Sequence, residues 1–390
     1  MIICCSPSGG LSSSIISIWN EENGTVEWSL RANDVSIPGV RSAVVSVAPG
    51  ASPVLLGISS SKAETAADRD ADGPAATSDR CSFFSTTLPS HTLQSIQTAA
   101  APFATLVRVS PHIVVAPSSA DGTLAGWNTA TGQLLFSLQH VHFRPIRAVV
   151  STGTLLVTGA DDALVRVWAL ASLLRPRTDV AAPPPLLSIS AHTLPVTDIA
   201  VLGDRVYSVS LDATLKVHDI GAAGQLVANV DLESAASAVA VSQTGGRIYV
   251  GRVDGTVVCF STFQLHQGPP QADDRRSVVL TPDGTTDGHV SVTSLVLTTN
   301  EALLIAGTSD GQCIVLDALT LHEVRRHRDH VGGGGIAHLA VTDLPPFELF
   351  TKRRGGAAQA PAPLRRFADP DPAHALASFQ VPPQLTPQFM

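Results

Sequence analysis

Lysine is nearly missing from this chain: only Lys62, Lys216 and Lys352 are present among 390 residues, and charged residues of every kind make up 15%. So sparse a charge excludes a disordered polyelectrolyte. The formal net charge of −8 argues against a surface built throughout for nucleic acid, while a local basic patch stays open. The preference for arginine over lysine reads as coding bias. Cysteine is scarce too. Cys4, Cys5, Cys81, Cys259 and Cys313 are odd in number and contain no CxxC pair, so neither a disulfide framework nor a zinc cluster fits. Buried free thiols in a reducing compartment are the expectation. No uninterrupted apolar run approaches the roughly 20 residues of a membrane span. The N-terminal MIICCSPSGG has no charged leader or long apolar core, so a soluble, intracellular protein is expected. GxxxxGK[ST], a post-strand GxGxxG and HExxH are all missing, which removes the common nucleotide and zinc-protease signatures.

What is present is apolar and periodic. Residues of the apolar class reach 44%, enough for an extensive core, and the length suits one large all-β domain. The segments ADGTLAGW (120–127), DDALVRVW (161–168), LDATLKVH (211–218), VDGTVVCF (253–260) and SDGQCIVL (309–316) align. Each sets an aspartate six residues before a large side chain: Asp121 and Trp127, Asp162 and Trp168, Asp212 and His218, Asp254 and Phe260, Asp310 and Leu316. The run between them has strand composition, and Asp-Gly or Asp-Ala at its start suits a tight turn. Upstream of each lies another apolar strand: HIVVAP, TLLVTG, DRVYSV, GRIYVG and ALLIAG.

The aspartates are 41, 50, 42 and 56 residues apart, and a period of roughly 40–45 residues with a Trp-Asp-like ending is that of a WD40 propeller blade. The Pro-rich or charged segments RPRTDVAAPPP (175–185) and QGPPQADDRRS (267–277) stretch the two long intervals, because such residues cannot continue a central strand. Two further blades complete a predicted single all-β propeller of seven blades over 1–345. Residues 41–98 supply SAVVSVAP, PVLLGIS, CSFFSTT and SIQTA. GIAHLAV (335–341) combines with IICCS, SIISIWN and TVEWSL from the N-terminus in a composite blade, which closes the ring and removes the open sheet edge. Surface inserts are expected at 61–80, 175–186 and 264–288, and a largely irregular tail at 346–390.

Histidines recur with the same period. His142 precedes Asp162 by 20 residues, His192 precedes Asp212 by 20, His289 precedes Asp310 by 21, and His330 leads into the composite blade. Thr158 and Ser208 stand on the preceding strand in two units, and Ala306 takes that place in a third. A group repeated in successive blades is an element of the fold, whereas catalytic residues converge on one pocket. The expected network is His142, Thr158, Asp162, Trp168, His192, Ser208, Asp212, His289, Asp310, Asp121, Trp127 and Asp254, with no catalytic, metal or cofactor site. GGGG (332–335) lacks the Lys-Ser/Thr of a phosphate cradle and reads as a flexible loop. KRR (352–354) and RR (365–366) suit a nuclear signal or an RNA-phosphate contact as well as a solvated tail.

The stretch SISAHTLPVTDIAVLGDRVYSVSLDATLKVHDI (188–220) resembles the WD-repeat pre-rRNA-processing proteins of the complex that matures the large ribosomal subunit at the internal transcribed spacer. The matching positions are His192, Thr193, Leu194, Pro195, Val196, Thr197, Asp198, Ser210, Leu211, Asp212, Thr214 and Lys216. Residues 120–149, 159–174 and 308–326 extend the likeness over about 100–345. The resemblance implies a nuclear, non-catalytic scaffold without cofactors. Its implied partners are an armadillo/HEAT-like scaffold subunit, a further helical subunit, the AAA+ ATPase midasin and the pre-60S particle, with a possible role in replication licensing. Direct RNA contact and the oligomeric state stay open, since AHALASFQ (373–380) allows only about two helical turns. His218 departs from the usual Trp. Rival readings are a cullin-type ubiquitin-ligase receptor, whose Trp-Asp-x-Arg is replaced by WALA (168–171) and HDIG (218–221), and a propeller enzyme.

Overall fold

The computed structural model describes residues 1–7, 14–21, 23–31, 40–46, 53–62, 79–88, 93–98, 102–175, 183–262, 276–281, 290–328, 330 and 335–342. They form seven four-stranded antiparallel sheets. Blades 1 to 6 follow the chain over 40–98, 107–138, 146–190, 196–231, 236–279 and 292–327. Blade 7 joins His338–Val341 to Ile2–Cys5, Ser14–Trp19 and Val26–Arg31. The innermost strands adjoin in sequence, and His338–Val341 lies against both Val292–Leu297 and Val40–Ser46. The ring is therefore closed, and the predicted four strands of 41–98 are Val40–Ser46, Val54–Lys62, Asp79–Thr87 and Leu93–Thr98.

Burial follows position in the blade. The second strand lies between neighbouring sheets, so Ile113–Pro117 is buried at every residue. The outer strand of blade 4, Gln225–Asp231, is largely solvated and carries the polar residues. The apolar runs read from the sequence are thus strands covered on both faces. Blades approach each other closely. A side chain on Gly159 would strike Ile199 and Val196 of the following blade, one on Gly251 would strike Val292 of the following blade, and one on Gly307 would meet Ser294 of its own blade and Ile336. Each of these glycines stands three residues before its repeat aspartate.

All five repeat aspartates do one local job. Their carboxylates accept the backbone N–H two residues on: Thr123 to Asp121 at 3.2 Å, Leu164 to Asp162 at 3.2 Å, Thr214 to Asp212 at 3.1 Å, Thr256 to Asp254 at 2.9 Å and Gln312 to Asp310 at 3.3 Å. The residue after the aspartate is left-handed in four of them, with φ of 63° at Ala163, 58° at Ala213, 84° at Gly255 and 86° at Gly311. The side-chain bond to the turn offsets the steric cost that the two alanines carry there.

Closure rests on the pairs Ile2 with Val341, Ile3 with Ala340, Cys4 with Leu339 and Cys5 with His338. The Met1 ammonium adds a 2.8 Å bond to the Thr342 carbonyl. One expected boundary needs correction: 264–288 is not insert throughout, because Arg276–Val279 is the outer strand of blade 5, paired with Thr256–Ser261. Its four residues are mostly exposed, so they carry too little apolar pattern to stand out beside the charged run before them. At 61–80 the strands run into the segment as far as the pair Lys62 and Asp79. In 175–186 the described residues end at 175 and resume at 183, and the tail 346–390 lies outside the described residues.

Candidate functional site

Blade 3 holds a chain of four polar side chains. Trp168 donates its indole N–H to Thr158 Oγ1 at 3.0 Å, Thr158 Oγ1 lies 2.8 Å from His142 Nε2, and His142 Nδ1 lies 3.1 Å from both Asp162 oxygens. Trp168, Thr158 and His142 are buried at 2%, 0% and 1% exposure, so each polar atom must find its partner inside the protein. Asp162 also accepts the Phe143 N–H at 3.2 Å. This fastens the loop leading into the blade to the turn within it. The hydrogen bonds and the charge of His142 hold the Asp162 carboxyl below its ordinary range against the opposing effect of burial.

Blade 4 repeats the arrangement with one exchange. His192 Nδ1 lies 3.1 Å from Asp212 Oδ2 and 3.0 Å from Thr214 Oγ1, and its Nε2 lies 2.9 Å from Ser208 Oγ. Asp212 accepts the Thr193 N–H at 3.0 Å and the Thr214 hydroxyl at 2.6 Å. Burial lowers the His192 pKa, which fits a neutral ring that donates from Nδ1 and accepts at Nε2. His218 sits opposite Val206 as Trp168 sits opposite Leu156. Its Nδ1 is buried and has no hydrogen-bond partner among the described residues.

Burial holds the His218 pKa down at about 4, with the charges of His192 and Lys216 acting in the same sense. A folded-state value below the ordinary 6.5 means that the neutral form is favoured on folding. The corresponding stability is complete above pH 6.5 and is lost as the pH falls towards 4. Thermal melts across that window are expected to show a steeper acid loss for the native chain than for His218→Trp. Parallel curves would contradict this assignment. Removing the carboxylate from the same blade is also expected to cost stability. Asp212→Ala strands the His192 imidazole and the Thr193 and Thr214 N–H groups, so chemical denaturation should register a loss of about 1–3 kcal/mol; an unchanged midpoint would count against it.

Among the described residues, Asp254, Asp310, Trp127 and Asp121 have other partners. Asp254 takes a bond from Arg252 Nη2 at 2.5 Å, and Asp310 accepts from Gln312 Nε2 at 2.7 Å. Trp127 packs edge-on to Phe83 and Phe103, at 4.9 and 5.4 Å between ring centres. Asp121 caps its own turn and accepts the Thr123 N–H. His289 lies outside the described residues. In blade 7 His330 Nε2 is 2.8 Å from Ser17 Oγ, on the third strand, because Cys4 occupies the place that Thr158 holds in blade 3.

Three features were missed from the sequence. Arg166 Nη1 and Lys216 Nζ each donate to the carbonyl just before the blade's histidine, Val141 and Ala191, both at 2.6 Å. The signal was present as a basic residue four positions after each aspartate. The opening stretch of blade 4 also reaches its neighbour: Thr197 Oγ1 donates to the Ala236 carbonyl at 2.8 Å, and Asp198 Oδ2 accepts the Val239 N–H at 2.9 Å. Burial pushes the Asp198 carboxyl up to about 6 although two backbone N–H groups oppose the shift. Thr197 and Asp198 therefore pin blade 4 to blade 5.

A cavity of about 370 Å³ lies among the inner strands, lined by Val44, Val149, Arg108, His338 and Val341 among others. Arg108 spends its guanidinium on the Val45 carbonyl at 3.0 Å, and burial lowers the His338 pKa to about 4. Among the described residues no group of three or more His, Cys, Asp or Glu side chains is placed to hold a metal, and no helix is long and apolar enough to cross a membrane.

Comparison with known proteins follows the same lines. The family described as WD domain, G-beta repeat matches residues 132–169 and 280–317. The pre-rRNA-processing protein IPI3 of Yarrowia lipolytica is 29% identical over 213 residues, 52% of this chain and 49% of that protein. The protein of the same name from Candida albicans is 26% identical over 261 residues, 60% of this chain and 51% of its own length. Protein ROOT INITIATION DEFECTIVE 3 of Arabidopsis thaliana is 27% identical over 268 residues, covering 64% of this chain and 58% of that protein. The chain thus spans about half the length of these relatives. In its repeat and its blade geometry the chain is a seven-bladed propeller with WD40 repeats, and it is similar to WD40-repeat pre-rRNA-processing proteins.

Proposed function

We propose that the protein is a non-catalytic scaffold of ribosome assembly, acting in the nucleus on the pre-60S particle and needed for rRNA processing at the internal transcribed spacer. The observation that carries this reading is the use made of 192–198. The residues that most resemble the pre-rRNA-processing proteins turn inward, His192 to Asp212 and Ser208, and Thr197 and Asp198 to the next blade. They stiffen the ring and offer no reacting group to solvent. A rigid disc with loop-lined faces presents several patches of the roughly 800 Å² that a standard interface takes from each partner. The partners proposed from the resemblance are an armadillo/HEAT-like subunit, a further helical subunit and a midasin-type ATPase that supplies the mechanical work; a role in replication licensing is proposed on the same ground.

Depletion is expected to leave large-subunit precursors that retain the internal transcribed spacer while small-subunit rRNA matures normally. Northern analysis of precursors, with identification of co-purifying proteins, tests this. Normal spacer processing would overturn the proposal, and a complex holding cullin-ligase subunits without pre-60S factors would favour a ubiquitin-receptor role.

A further inference from the structure

Blade 7 meets blade 6 through two thiols. Cys4 lies on the second strand of blade 7 and Cys313 on the third strand of blade 6, with 3.2 Å between their sulfurs. They share an apolar cluster with Ile2, Trp19, Ile305, Val315, Ile336 and Leu339, and both are buried, at 0% and 1% exposure. A disulfide needs about 2.0 Å between sulfurs, so a shift of little more than an ångström separates the thiol pair from a covalent bond. The remaining cysteines have other surroundings: Cys81 packs in the core between blades 1 and 2, and Cys259 in blade 5. Cys5 follows Cys4 on a strand whose successive side chains point to opposite faces, and it packs in a different cluster, with Val40 and Leu55.

We propose that Cys4 and Cys313 are an oxidisable pair that forms a disulfide latch across the junction where the ring closes. The co-reactant is hydrogen peroxide, which can reach a site that larger disulfide oxidants enter poorly. The Cys4 thiolate attacks one peroxide oxygen; the O–O bond breaks, an S–O bond forms, and one water leaves with the thiol proton. The Cys313 sulfur then attacks Cys4, the S–S bond replaces the S–O bond, and the hydroxide leaves with the second thiol proton as another water. Two thiols are oxidised and one peroxide is reduced to two waters. Burial and the neighbouring Cys313 push the Cys4 thiol well up, with His330, held by Ser17 at 2.8 Å, acting in the opposite sense without reversing the shift. Burial keeps the reaction slow, as for any desolvated thiol.

The bond would join positions 309 residues apart in the chain, so it acts chiefly by restricting the unfolded chain. It fastens the closing blade to blade 6 independently of the ladder between Ile2–Cys5 and His338–Val341. The test is treatment of the full chain with hydrogen peroxide, followed by peptide mapping without reduction and thermal melts. The expected result is a linked peptide pair containing Cys4 and Cys313, a melting temperature raised by several degrees, and reversal of both by dithiothreitol. Cys313→Ala should lose the link and the shift, whereas Cys259→Ala should keep them. Because the first readout uses the native chain, poor folding of a variant does not remove the test. Peroxide-treated native protein with all five thiols still free, links through Cys5 or Cys81 instead, or a link with unchanged melting would each overturn the proposal.

Discussion

Removing residues 1–6 is expected to abolish cooperative folding of the ring. Those residues supply the second strand of blade 7, and the deletion leaves His338–Val341 and Ser14–Trp19 with no strand between them. Ile2 and Ile3 are buried at 3% and 1% exposure, and burying each contributes about 1.5–3 kcal/mol. The two together contribute about 3–6 kcal/mol, against the roughly 5–15 kcal/mol that stabilises an ordinary domain. The backbone pairs of Ile2–Cys5 with both neighbours are lost as well, and two unpaired sheet edges become open to association. Circular dichroism melts and size-exclusion chromatography of the truncated chain should show a broad, low transition with aggregation. Ile3→Asp, which sets a charge in the same core, should shift the melt in the same direction. A truncated chain that melts sharply at the native temperature would mean that the ring does not depend on this strand.

The second large effect belongs to Trp168→Ala. The side chain is 2% exposed and packs with Leu156, Ile146 and Leu173 in the core between blades 2 and 3. Truncating a buried tryptophan costs about 3–5 kcal/mol. The Thr158 hydroxyl loses its indole donor in addition. A fall in melting temperature of roughly 5–10 °C is expected. Trp168→His should cost less, because blade 4 places His218 at the corresponding point. Equal losses for the two variants would show that volume alone decides the site and that the imidazole contributes nothing there.

Much of this was legible because the repeat writes the same physics several times. The Asp-to-aromatic spacing marked the turn and the third strand, and the 20-residue interval from His142 and His192 marked the loop that each turn holds. The composite blade could be read because IICC and HLAV were strands that otherwise lacked partners. Arg276–Val279 was hidden, since an outer strand needs few apolar residues and its backbone pairing leaves no mark in composition. The bonds of Thr197 and Asp198 to blade 5 were hidden for another reason. They depend on which backbone groups the neighbouring sheet presents, and that is settled by the ring and not by the local pattern. The contact of Cys4 with Cys313 belongs to the same class, as it joins positions 309 residues apart.

The central claim is that the histidine-bearing blades hold a scaffold together and perform no chemistry. The most direct measurement is the rRNA precursor pattern in cells whose only copy carries Asp212→Ala, recorded below and above the melting temperature of that variant. A scaffold predicts normal processing of the internal transcribed spacer below that temperature and retained spacer above it, with function following the folded fraction. Loss of processing at a temperature where the variant remains fully folded and bound to its partners would contradict the account and return His192 and Asp212 to a chemical role.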